Sequence, residues 1–132
     1  MKMTFPSIIT AVSVSLVFLA TSAKAFPCTN TVQNNLDSGP GSLRDALANA
    51  TNFETITFCP GVTGTIKLTS GRLSVSNSVT ILGPGANLLA IDGNNSHTVF
   101  YILPGVTVTI AGLTITNGHY LYPDEFAGGV IF

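Results

Sequence analysis

Two stretches, Ser78-Val79-Thr80-Ile81-Leu82-Gly83 and Thr107-Val108-Thr109-Ile110-Ala111-Gly112, match residue for residue in kind and decide the fold. Each alternates apolar and hydroxyl side chains and ends on glycine, the pattern of a strand with one buried face and a turn after it. Glu54-Thr-Ile-Thr-Phe58 precedes them with the same alternation, and Leu89-Ala-Ile91 is echoed by Leu113-Thr-Ile115. The strands Thr65–Leu68, Leu73–Val75 and Thr98–Ile102 fill the intervals, separated by Gly, Pro and Asn turns. A recurrence every 24 to 29 residues or so is the mark of a stacked repeat. The expected fold class is therefore all-β, a β-helix of about three coils with strands stacked at about 4.8 Å. Antiparallel hairpins in a sandwich are the competing architecture, and they predict no such repeat. Asn77, Asn94 or Asn95, and Asn117 fall at corners, where asparagine tolerates left-handed backbone.

Working back toward the N-terminus, Asp37-Ser-Gly-Pro-Gly-Ser42 reads as a turn and the residues after it as a short helix. Ser42 is the expected N-cap, and Asp45 sits in the first turn, where its charge meets the positive end of the helix dipole. Leu43, Ala46, Leu47 and Ala50 share one narrow apolar stripe. Arg44 lies off it and is expected in a surface or capping ion pair. The segment Ser42, Leu43, Arg44, Asp45, Ala46 and Leu47 is expected to be a capping helix, covering the open apolar end that a stack of coils presents.

Further back, Lys2, the apolar run Ile8–Ala20 and Ala23-Lys24-Ala25 have the three parts of a secretory signal peptide, cleaved after Ala25. The run is shorter than the roughly 20 residues that span a bilayer, so no membrane span is expected after cleavage. The division is then 1–25 signal peptide, 26–53 N-terminal segment and capping helix, and 54–132 strand coils forming a truncated stack. Export to an oxidising compartment makes a Cys28–Cys59 disulfide the expected use of the two cysteines, removing about 3.5 to 4 kcal/mol of unfolded-chain entropy on the loop model. Only 8% of residues are charged and the net charge is -1, against about 25% charged in an ordinary domain. Such a surface excludes nucleic acid as a partner and excludes a polybasic membrane anchor.

The series Asp37–Leu47, Thr55–Phe58, Gly61-Val-Thr-Gly-Thr-Ile66, Leu82-Gly-Pro-Gly-Ala86 and Gly112-Leu-Thr-Ile-Thr-Asn-Gly118 resembles the N-terminal region of secreted bacterial parallel β-helix surface proteins. These include large surface proteins with a "CSLREAI" segment and relatives of the polymorphic outer membrane proteins. Here Gly41 stands at that motif's leading Cys, and Asp45-Ala46-Leu47 at its Glu-Ala-Ile. The resemblance implies a right-handed parallel β-helix and a secreted or cell-surface, adhesin-like scaffold or display module. Its partner would be a surface ligand such as a glycan or a host or cell-surface component.

Pectate-lyase-like enzymes share the expected fold, so the acids bear on function. A glycosidase needs two carboxylates facing one bond, and a calcium-assisted lyase needs several converging on a cation. Asp37, Asp45, Glu54 and Asp92 are scattered, so the chain is expected not to be an enzyme, and no metal or cofactor site is expected. The remaining ligand candidates are His119, Tyr120, Tyr122, Asp124 and Glu125, in what reads as one long loop. Two alternatives stand beside the display reading. One is the N-terminal part of a polysaccharide-acting enzyme whose catalytic coils are absent. The other is a self-stacking surface subunit that associates through its C-terminal coil.

Overall fold

The computed structural model describes residues 28, 31–119 and 129–131. The expected signal peptide over 1–25 lies outside them. In chain order the elements are β1 (Thr31–Val32), α1 (Leu43–Asn49), β2 (Glu54–Phe58), β3 (Gly64–Lys67), β4 (Leu73–Val75) and β5 (Val79–Leu82). Then follow β6 (Leu89–Asp92), β7 (Phe100–Ile102), β8 (Val108–Ala111), β9 (Thr114–Thr116) and β10 (Gly129–Ile131).

The strands form three short sheets, ordered β1-β2-β5-β8, β3-β6-β9 and β4-β7-β10. Within them, β2, β3 and β4 each pair in parallel with the strand three places further on, and β5 and β6 do so again. This arrangement explains the sequence repeat, because register partners occupy equivalent places. Ile56 pairs with Ile81 and Ile81 with Ile110 in the first sheet. Ile66, Ile91 and Ile115 do the same in the second. The register sets Glu54 against Val79.

The expectation of an all-β, right-handed parallel β-helix of about three coils is corrected. The chain forms three separate short sheets and one helix, and no closed coil is seen among the described residues. The third sheet is mixed, since β10 returns antiparallel onto β7 with Val130 opposite Tyr101. A repeat in the sequence reports which strands are alike. It carries no information on how each sheet ends, and this one ends in a pairing that parallel stacking does not produce.

One apolar cluster joins the three sheets to the helix. Ile56, Ile66, Leu73, Ile81, Ile91 and Phe100 are almost wholly buried in it. The burial alternates along β4 and β5 as the period-two pattern requires. Leu43 and Leu47 of α1 enter the same cluster, with Ala46 packed against it. A helix of 7 residues has little stability of its own, so this packing is what holds it. Ser42 caps it as expected, its Oγ accepting from the Asp45 N–H at 3.2 Å. Asp45 answers by accepting the Gly41 N–H at 3.0 Å, a variant of the reciprocal capping box. A disulfide joins Cys28 to Cys59, with Cα atoms 6.0 Å apart. No helix among the described residues is long and apolar enough to cross a membrane.

Candidate functional site

Arg44 leaves the apolar stripe of α1, as its position predicts, but it does far more than make a surface pair. Its Nη2 donates to Asp37 Oδ1 at 2.7 Å and to the Gly71 carbonyl at 2.7 Å. Nη1 reaches the Arg72 carbonyl at 2.7 Å, and Nε reaches the Asp37 carbonyl at 3.1 Å. The other carboxylate oxygen of Asp37 accepts the Ser70 N–H at 2.8 Å and the Thr69 hydroxyl at 2.9 Å. Burial disfavours the Asp37 charge, yet the hydrogen bonds from Ser70, Arg44 and Thr69 outweigh it and hold the carboxyl well below the usual carboxylate range. The guanidinium is committed to this clamp, which ties the helix to the turn before β4. Next to it, the Arg72 guanidinium stacks 3.9 Å from the Tyr101 ring centre.

A cleft of about 230 Å³ lies between α1 and β2 and is lined in part by Gln33, Asp45, Asn49 and Glu54. Sequence reasoning placed Asp45 near the helix and Glu54 at a strand start, without bringing them together. The short link from Ala50 to Phe53 does so. Both carboxylates are already engaged. Asp45 accepts from Gly41 and from Asn49 Nδ2, and Glu54 Oε2 accepts the Thr51 N–H at 2.7 Å and its hydroxyl at 3.1 Å. Phe53 stands beside this cleft in sequence, 87% exposed and at a φ of 67°, an uncommon conformation for a bulky residue. No motif marked it.

The left-handed backbone expected of the corner asparagines is met at two of the three corners. Asn94, Asn95 and Asn117 take positive φ, and Asp92 Oδ1 accepts the Asn94 N–H at 2.7 Å. Asn77 instead donates to the Ala50 carbonyl, fastening the β4–β5 turn to the end of the helix. Outward faces carry rows of hydroxyls, with Thr55, Thr80 and Thr109 in register across the first sheet. Of the loop candidates, Tyr120, Tyr122, Asp124 and Glu125 lie outside the described residues. His119 is exposed. Its backbone N–H donates to the His97 carbonyl at 3.0 Å and its carbonyl accepts the Thr98 hydroxyl at 3.3 Å. No group of three or more His, Cys, Asp or Glu suited to a metal ion occurs among the described residues.

No protein-family model, curated protein or solved structure matches this chain.

Proposed function

We propose that the chain is a secreted or cell-surface, non-enzymatic scaffold whose outward strand faces display hydroxyl-rich surface to a glycan or another cell-surface component. One observation carries this reading. Among the described residues, each of the acids Asp37, Asp45, Glu54 and Asp92 spends its carboxylate on a cap, a turn or an ion pair. Carboxylates fixed by backbone donors hold structure and are poorly placed to exchange protons with a substrate. The disulfide suits an oxidising compartment, and the leader-like residues 1–25 suit export.

Expression with its own N-terminus in an exporting bacterial host tests the location. The protein is expected outside the cytoplasm, beginning at Phe26, with Cys28 and Cys59 bonded. Recovery only from the cytoplasm with Met1 retained overturns secretion. Incubation with a panel of acidic polysaccharides tests the rest. Unchanged polymer length together with retention on immobilised glycans is expected, and new reducing or unsaturated ends would overturn the non-enzymatic reading.

A further inference from the structure

We infer that the end of the molecule bearing β8 pairs two copies of this chain, with β8 of one running antiparallel to β8 of the other about a two-fold axis.

The two ends of the strand stack are unlike. At one end β1 covers the edge of β2, and α1 packs on β4 and β1, burying Leu43 and Leu47. At the other, no strand among the described residues pairs with the outer edge of β8 or β9. The carbonyls of Thr107 and Ala111 accept from Val79 and Gly83 of the neighbouring strand segment. By the alternation of a strand, the polar groups of Val108 and Ile110 then face outward, a template for a further strand. The side chains agree. Ile56 and Ile81 are buried, whereas their partner Ile110 is only half-buried, as are Val106, Val108, Leu113 and Ile115 beside it.

Three observations select a second copy as the occupant. Among the described residues, Gly93 to His119 contain no Asp, Glu, Lys or Arg, so these faces of two copies meet without like-charge repulsion, and β8 and β9 lack the charged side chains that usually guard an edge strand. The one outer pairing made here, β10 on β7, is antiparallel, which is the direction a two-fold related strand brings. Finally, head-to-tail stacking would have to displace β1 and α1, whereas a self-complementary contact leaves them in place and closes after two copies.

The purified full chain, weighed by light scattering and analytical ultracentrifugation across a concentration series, is expected to reach twice the mass of one chain and to stop there. Thr109→Lys alters an exposed, outward residue of β8 and is expected to weaken the dimer at least ten-fold. Thr55→Lys, in the same outward row but on β2, is expected to leave it unchanged. Mixing Thr109→Lys with Thr109→Glu is expected to restore a dimer containing one of each. A wild-type monomer at all concentrations overturns the inference, as do growing higher oligomers, capture of a different protein in place of the second copy, or equal loss with Thr55→Lys. The wild-type mass decides the matter even where a variant fails to fold.

Discussion

At the scale of single residues, the tie between Asp37 and Arg44 concentrates more of the fold than its length suggests. Asp37 has a side chain only 9% exposed, and its charge is satisfied by a guanidinium and by donors from the turn before β4. Hydrogen bonds to charged groups contribute about 1.5–3 kcal/mol each. Asp37→Asn keeps the shape and removes the charge, so it is expected to lower stability by about 2 kcal/mol at pH 7. The pH dependence follows from the direction of the shift. The carboxyl is depressed in the folded chain and ordinary, at about 3.9, in the unfolded one. Its stabilisation is therefore fully present above about pH 5 and is lost as the pH falls through the acid range. Urea midpoints at pH 7 and pH 3 are expected to show the gap between wild type and Asp37→Asn narrowing at the lower pH. An equal gap at both would remove the charge from the explanation. Close approach makes a second demand at Gly93, where a Cβ would come within 2.6 Å of the Asn117 and His97 carbonyl oxygens.

At the scale of elements, the chain announced what depends on local pattern and hid what depends on distant pairing. The helix was legible because a hydroxyl N-cap, a first-turn acid and the Leu43–Leu47 spacing all report within a few residues. So were the strands from Glu54 to Thr116, with β4 and β5 matching residue for residue. Two strands were missed for a physical reason. Thr31–Val32 is too short to show a period, and β10 is a strand only because β7 offers it an edge. The clamp was half-legible. Arg44 was seen to leave the apolar stripe, but carbonyls more than 25 residues away in sequence leave no trace near it. The joint cleft of Asp45 and Glu54 was invisible likewise, since it depends on how the helix settles on β2. The dependence of α1 on the core yields a prediction. Leu47→Ala is expected to cost about 2–5 kcal/mol by opening a cavity, whereas Ser42→Ala costs about 0.5–2 kcal/mol by losing one cap. Denaturant titration of both variants checks the order, and a cap loss larger than the leucine loss would mean that the helix stands by its own ends.

At the scale of the whole molecule, three parallel ladders share one core, so stability passes from each strand to its register neighbours. Ile81 lies between Ile56 and Ile110 and is wholly buried. Ile110 has a partner on one side among the described residues and is half-buried. Ile81→Ala is expected to cost about 3–5 kcal/mol, near the upper end for a buried isoleucine. Ile110→Ala is expected to cost less than half as much in the single chain, because solvent already reaches the space the side chain leaves. Amide hydrogen exchange offers the same comparison without mutation. Protection is expected to be highest in β2, β5 and β6, which are paired on both sides, and to fall in β8 and β9, whose openings need break only one ladder. Pairing of two copies through β8 changes that profile in a defined way. Raising the protein concentration would then slow exchange at Val108 and Ile110, whose N–H groups face outward in the single chain, while leaving β2 and β3 as they were. A profile flat across all strands at low concentration would instead make the three sheets one cooperative unit, with the end strands as secure as the centre.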